Sequence, residues 1–382
     1  MTVFFWLSFF AIFYIYIGYL LMLNVIKFFI EAKKEKFADT RSINCFVLNI
    51  SVIIAAYDEE RAIKGRLENL LALDYPMNKL EIIVASDGST DNTVKIAKQC
   101  QNIKVLDFKC NRGRAAVHND SVIEAKGEII FFTDAETVFD KNFLKETIKY
   151  FSNNLVGCVV GNLFYKTSGT SISESEGLYW KFEKKIRELE NNLGILATAT
   201  GACMAVRKEL WKELSPSDDA DCRTPLDVII QGYTVAFAPE AIAYDVPPSS
   251  IKGELKSRIR QTSMDFVRTL KCWGWRGWTK HPLVSWGLLS HKVLRWFTSF
   301  FMIVVFVSNL FLLNEGLFYQ LAFLVQAAFY LTAIIGLAGS LIKKRIPAAS
   351  VIFSFCVANL GMGIGVIKGL IGKAPVAYKT TE

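Results

Sequence analysis

Three acidic clusters sit where chemistry is done. Ala56-Tyr57-Asp58-Glu59-Glu60, Ser86-Asp87-Gly88-Ser89-Thr90-Asp91 and Thr133-Asp134-Ala135-Glu136 each follow a short run of strand-forming residues. A carboxylate just past a strand, in a turn that glycine permits, hydrogen-bonds a ribose or a base edge. For the second cluster the plainer alternative is a common turn in which Asp91 caps the next helix. Asp134 and Glu136, spaced i and i+2, suit one hard divalent cation, Mg²⁺ or Mn²⁺. Such an ion bridges the phosphates of a nucleoside diphosphate and neutralises charge on a leaving group. Arg112-Gly113-Arg114 opens a helix, where guanidinium forks and the helix N-terminus both favour phosphate, with a surface charge pair as the alternative. Further on, Ser217-Asp218-Asp219-Ala220-Asp221 precedes Pro225, Leu226 and Gly232-Tyr233. Transfer to a sugar hydroxyl with inversion needs one carboxylate base. One of the three aspartates is the candidate, and periodicity does not say which.

These clusters need elements to hold them. Ser51–Ala56, Leu80–Ala85, Ile103–Asp107 and Glu128–Thr133 read as buried strands. Arg61–Leu71, Asp91–Cys100 and Arg114–Ala125 read as helices between them. Alternating strand and helix with short turns predicts an α/β domain over 48–248 with a mostly parallel, doubly wound sheet. Ligands of such sheets sit beyond the carboxyl ends of the strands, where the acidic clusters are.

The flanks are apolar. Residues 1–30 form one anchor helix long enough to cross a bilayer. Residues 249–292 interleave Lys252, Lys256, Arg258, Arg260, Arg268 and Lys271 with apolar positions and end in Trp273, Trp275 and Trp278. That is the pattern of amphipathic helices at a membrane interface, with an ordinary surface helix as the alternative. Stretches at about 293–313, 317–341 and 347–371 give three more spans over 293–371. Lys33, Lys34 and Lys36 follow the first span, and Lys343-Lys344-Arg345 joins the last two. Basic loops face the cytosol, so the expectation is a cell-membrane protein with a cytosolic catalytic domain. Gly361, Gly363, Gly365 and Gly369 mark the last span as one that packs closely on another helix.

Composition narrows the partners. The chain has 382 residues, 52% of them hydrophobic, and a net charge of +8. That suits one soluble domain with several spans, and membrane lipids as the anionic partner. No basic run, zinc spacing or helix-turn-helix signature points to nucleic acid. Eight scattered cysteines without a CxxC pair read as reduced core residues.

With these residues in place, the chain resembles the family 2 glycosyltransferases of GT-A fold, in the membrane-bound branch that includes hyaluronan and cellulose synthases. The resemblance rests on AAYDEE (55–60), SDGSTDNT (86–93), NRGRAAVHN (111–119), FTDAET (132–137), YWKFEKKIRELE (179–190), TGACMAVRKELW (200–211), DCRTPLDVIIQGY (221–233) and SHKVLRW (290–296). It implies a Rossmann-like domain with N- and C-terminal transmembrane helices. It implies that Tyr57, Glu59 and Asp87 hold the nucleoside, and that Arg114 and Arg260 meet the donor phosphates. Asp134 and Glu136 match the metal-binding pair, Asp134 counting among the donor contacts as well. Asp221 matches the base, and Gly201, Ala202 and Cys203 the acceptor side. Asp58 stands where asparagine is usual and Glu136 where a second aspartate is. Ser257 and Gln261 replace the glutamine and tryptophan of the motif around Arg260, which weakens the expectation of a long polymer. The implied activity is inverting, metal-dependent transfer from a nucleotide sugar, with UDP the expected carrier, to a lipid-linked or glycan hydroxyl. Alternatives are a polyprenyl-phosphate glycosyl synthase, a processive polysaccharide synthase and, remotely, a non-catalytic nucleotide-sugar binder.

Overall fold

The computed structural model describes residues 1–31, 47–165, 171–216, 218–246, 251–342 and 346–373. The basic loops at 33–36 and 343–345, on which the expected orientation rests, lie outside them. The chain opens with α1 (Thr2–Phe13), a π turn (Tyr14–Gly18) and α2 (Tyr19–Glu31).

The sheet starts at β1 (Ile50–Ala56) and is followed by α3 (Ile63–Leu71), β2 (Leu80–Asp87), α4 (Thr93–Gln99), β3 (Ile103–Phe108), α5 (Arg114–Glu124) and β4 (Ile129–Thr133). These four strands pair in parallel in the order β3-β2-β1-β4. Their near-continuous Val, Ile and Phe runs suit strands covered on both faces. Successive side chains divide cleanly. Ile53, Ile83, Ile130 and Phe132 enter one core layer, whereas Val52, Ile54, Val84 and Phe131 enter the other.

The second half departs from the parallel expectation. After β5 (Val138–Phe139), α6 (Phe143–Ile148), β6 (Val156–Tyr165) and α7 (Ser171–Leu193), strand β7 (Met204–Arg207) inserts between β4 and β6. It runs antiparallel to both. The helix α8 (Ala220–Ile230) then leads to β8 (Thr234–Asp245), parallel to β6 and antiparallel to β5. The eight-stranded sheet is therefore mixed, and its strand order reverses between β1 and β4, the place where ligands of such sheets bind.

The long α9 (Ile251–Lys280) breaks at Gly274, whose φ of 51° is left-handed. Then come α10 (Pro282–Leu288), a π turn (Leu289–Val293), the short α11 (Leu294–Trp296) and α12 (Thr298–Leu310). Where one straight span over 293–313 was expected, Pro282–Trp296 and Thr298–Leu310 meet at a 60° bend. Among the described residues, Thr2–Phe29, α13 (Leu317–Leu341) and α14 (Pro347–Leu370) are each long and apolar enough to cross a membrane, with a fourth if the bent pair counts as one.

The flanking elements share the core of the sheet. Tyr19 and Leu23 of α2, Trp273 of α9 and Leu288 of α10 are buried in the same layer as Ile53 and Phe132. Of the three tryptophans expected at an interface, Trp273 is buried with its indole N–H donating to Ser285 Oγ at 2.8 Å, while Trp275 is 82% exposed. The glycines of α14 do pack closely. A Cβ at Gly361 would lie 2.9 Å from Arg258 Cβ, one at Gly365 2.6 Å from Thr262 Cβ, and one at Gly369 2.9 Å from Ser263 O, all on α9.

Candidate active site

The loops after β1 and β2 are laced together by backbone hydrogen bonds to side chains. Asp58 adopts a left-handed φ of 54°, and its Oδ1 accepts the Thr90 N–H at 2.7 Å. The Glu59 N–H donates to Thr93 Oγ1 at 2.7 Å and the Glu60 N–H to Asp91 Oδ2 at 2.9 Å. Asp91 Oδ1 accepts the Thr93 N–H at 2.9 Å, so this acid secures the start of α4 and the facing loop. Asp87 is buried, and its carboxylate accepts the N–H groups of Arg112 at 2.8 Å and Gly113 at 2.9 Å. Gly88 has φ 76°, and a Cβ there would lie 2.6 Å from the Cys110 carbonyl carbon, so the turn needs glycine. Asp87 thereby aims the N-terminus of α5 and with it Arg114.

Arg114 reaches across to Asp134 at the end of β4, forming an ion pair with its Oδ1. Beneath that point lies Arg66, 2% exposed. Its guanidinium donates to Thr133 Oγ1 at 2.7 Å and Asn69 Oδ1 at 2.6 Å and lies 4.0 Å over the Phe139 ring. Burial lowers its pKa to about 9, while Asp134 and Asp245 act to raise it. Asp245 ends β8 and is pushed up to about 7 by burial and then by Asp134 and Glu136. Glu59 is pushed up to about 7 by burial and then by Glu136 and Asp134. Four carboxylates thus repel one another at one end of the sheet, which is the hard-oxygen chemistry a divalent cation relieves. Among the described residues, no three His, Cys, Asp or Glu side chains already form a cage for an ion.

On the other side, Gly201 lies between Arg114 and Asp221. Its N–H donates to Asp221 Oδ2 at 3.2 Å, and a Cβ there would be 3.7 Å from both Arg114 Nη2 and the Asp221 carboxyl. Asp221 is pushed up to about 8, first by burial, then by Asp219 and Asp265, with Lys292 and Arg114 acting against the shift. Asp218 is already engaged: it pairs with Arg268 and with Arg223 at 3.5 Å, and it accepts the Ser215 N–H at 2.8 Å. Of the three aspartates left open by spacing, Asp218 is a tether between the loop and α9.

A cavity of about 150 Å³ gathers Arg114, Asp134, Gly201, Ala202, Asp221 and Arg260 from five separate segments. Tyr57, Glu59, Asp87, Glu136 and Cys203 are not in its wall. Tyr57 and Glu59 follow β1 and Glu136 follows β4, at the same sheet end, while Asp87 lies behind Arg114. Cys203 is buried, with its thiol 3.5 Å from the Gly161 carbonyl. The cavity also takes in Asp219, one of the three aspartates left open by spacing, together with Tyr165, Asp245 and Met264, which carried no motif. Asp245 carries the same signal as the other acids, a carboxylate closing an apolar strand. Arg66 carries none, since among Lys64 and Glu68 it reads as a helix-surface charge.

A second polar cluster supports the acceptor-side segment. Glu183 and Glu190 of α7 flank His291, with Nε2 to Glu183 at 3.1 Å and Nδ1 to Glu190 at 3.0 Å. Arg295 donates to Glu183 at 3.0 Å and the Tyr19 hydroxyl to Glu190 at 2.7 Å. Arg187 joins Glu183 at 3.1 Å to Thr200 Oγ1 at 2.8 Å, directly before Gly201.

Comparison with known proteins adds to this geometry. Residues 51–215 match the family model described as glycosyl transferase family 2. The poly-beta-1,6-N-acetyl-D-glucosamine synthase of Staphylococcus epidermidis is 27% identical over 247 residues, 62% of this chain and 60% of the relative. Its counterpart in Staphylococcus aureus strain COL is 25% identical over 238 residues, 58% of this chain and 57% of the relative. The aligned part is thus under two thirds of those relatives' length. The mannosyltransferase PcManGT from Pyrobaculum calidifontis, solved in complex with GDP-Man and Mn²⁺, superposes with a TM-score of 0.71 at 18% identity. That superposition covers 97% of this chain and 99% of that one.

Proposed function

This chain carries a family 2 glycosyltransferase domain of GT-A fold, and on that premise we propose that it transfers a sugar, with inversion, from a nucleoside diphosphate to an acceptor hydroxyl at a membrane. The observation that carries the reading is the cavity in which Arg114, Asp134, Asp221 and Arg260 meet. In this reading Arg114 and Arg260 hold the diphosphate, and Tyr57 and Glu59 lie toward the nucleoside. Asp87 acts by fixing the turn that aims Arg114. Asp221, oriented by the Gly201 N–H, takes the acceptor proton. Asp134 and Glu136 would hold Mg²⁺ or Mn²⁺, with Asp245 and Glu59 facing them. When bound, the ion would stabilise charge on the leaving diphosphate. Gly201 and Ala202 form the acceptor wall, and Cys203 supports it from the core. UDP is the carrier expected from the family resemblance. The apolar helices would hold the domain at the cytosolic face of the cell membrane.

The test is nucleoside diphosphate release by the full chain reconstituted in lipid. It would be supplied with UDP- and GDP-sugars, Mg²⁺ or Mn²⁺ and a membrane lipid extract. Release from one donor, lost on chelation and in Asp221→Asn, is the expected result. Metal-dependent release that persists in Asp221→Asn would overturn the base assignment. Donor binding without release would overturn the transferase reading.

A further inference from the structure

Arg66 is 2% exposed, and its Nε has no hydrogen-bond partner among the described residues. A buried guanidinium with an idle donor is costly unless the rest of it secures something. What it secures is the turn that carries Asp134 and Glu136. Nη2 donates to Oγ1 of Thr133, the residue before Asp134, at 2.7 Å. Nη1 donates to Asn69 Oδ1, one turn along α3, at 2.6 Å. Asn69 takes both backbone groups of Phe139 on β5. Its Oδ1 accepts the Phe139 N–H and its Nδ2 donates to the Phe139 carbonyl, each at 2.9 Å. The residues on either side of the turn, Thr133 and Phe139, are thus fastened to one face of α3. Phe139 also pairs with Ala243 of β8, two residues before Asp245. At its start α3 meets the first acidic loop, where the N–H groups of Ala62 and Ile63 donate to the Glu59 carbonyl at 3.0 and 2.9 Å. One short helix therefore ties together the backbone beneath Glu59, Asp134, Glu136 and Asp245. Neither Arg66 nor Asn69 lines the cavity.

We propose that Arg66 and Asn69 are positioning residues for divalent-cation binding, acting as a clamp on both ends of the Asp134–Glu136 turn. The inference rests on the reading that these two acids hold the ion. A turn left free at either end has to be ordered when the ion binds, and that entropy weakens affinity. The charge of Arg66 works in the opposite sense, because a cation near the acids repels a second one. The two roles are separable. Asn69→Leu releases Phe139 and leaves the Arg66 charge and its bond to Thr133 in place.

The experiment measures Mn²⁺ binding by the full chain in detergent, from the paramagnetic resonance signal of free Mn²⁺, with UDP and with GDP present. Mg²⁺ and Ca²⁺ are then titrated as competitors. Arg66→Met and Asn69→Leu should each raise the Mn²⁺ Kd by about tenfold, the low end for hydrogen-bonded partners behind metal ligands. Mg²⁺, which demands near-octahedral geometry, should lose more affinity than Ca²⁺, which accepts irregular sites. Loss of folded protein alone would lower the number of sites and leave the Kd and the Mg²⁺-to-Ca²⁺ ratio unchanged, and that result overturns the inference. A wild-type Kd in Asn69→Leu, or a lower Kd in Arg66→Met, overturns it too, since Arg66 would then act as a charge and not as a clamp. Should Arg66→Met fail to fold, Asn69→Leu carries the test. Asp134→Asn is the control and should abolish binding. Mn²⁺ bound equally by wild type and Asp134→Asn, or not bound by wild type, removes the acid-pair reading and the inference together.

Discussion

The two halves of the cavity are held by different forces. On the donor side, carboxylates of Asp58, Asp87 and Asp91 accept backbone N–H groups from neighbouring loops. On the acceptor side, side-chain ion pairs between distant elements do the holding, such as Asp218 with Arg268 and Glu183 with Arg295. Backbone donors have fixed positions and no alternative charge state. Ion pairs depend on both partners remaining charged and desolvated together. The donor side is therefore built for fixed geometry, and the acceptor side for a charge balance that one substitution upsets.

The largest expected effect tests that balance at its centre. Asp221→Asn should lower kcat by about 10²–10⁴-fold, the range of a lost general base, with donor affinity unchanged by calorimetry. A weakened donor affinity would show that the two halves are not separable. Because Asp221 is pushed up to about 8, the wild-type kcat/KM should rise with pH through a midpoint near 8, and the variant should lack that limb. The same shift has a stability consequence. The folded state holds this proton more tightly than the unfolded chain, whose carboxyl titrates near its ordinary value. The contribution of Asp221 to stability is then greatest at low pH and declines as pH rises from the ordinary carboxylate range through about 8. Asp221→Asn should lack that decline and melt higher than wild type at pH 8.

Arg66→Met should cost about 1–3 kcal/mol by removing the buried donor to Thr133 Oγ1 and Asn69 Oδ1, read as a fall in melting temperature of the detergent-solubilised protein. Asp87→Asn should cost about 1.5–3 kcal/mol, since one amide cannot accept both N–H groups as a carboxylate does. It should weaken donor affinity by misdirecting Arg114, and an unchanged donor Kd would break the claim that this half is set by backbone geometry. Arg268→Gln should cost about 1.5–3 kcal/mol, the loss of one charge-assisted hydrogen bond to the buried Asp218, which keeps Arg223 and the Ser215 N–H. Its effect on activity should be on acceptor KM, with donor Kd intact.

The donor half was legible in sequence because its signals are local. A carboxylate placed after an apolar strand, with Gly88 in the turn, reports its own position, and β1 to β4 fall where the strand runs predicted them. The acceptor half depends on pairings far apart in the chain. Nothing near Asp218 says that Arg268 takes it, or that Lys292 stands behind Asp221. The antiparallel β7 was hidden because its four residues, Met204–Arg207, are too short for a period to show. Arg66 was hidden because a helix-surface pattern conceals a side chain that turns inward. Trp273 was misplaced for the opposite reason: tryptophan suits an interface and a core equally, and only the Ser285 hydroxyl that satisfies its N–H decides.

The glycine face of α14 packs an apolar helix against the back of the cavity wall. Gly361, Gly365 and Gly369 leave no slack between α14 and the stretch of α9 from Arg258 to Val267, and Arg260, Gln261 and Met264 on that same stretch are cavity wall. The stretch of α9 that these glycines hold is the same stretch that forms one wall of the cavity, so a side chain added at Gly361, Gly365 or Gly369 has to displace cavity wall as well as helix.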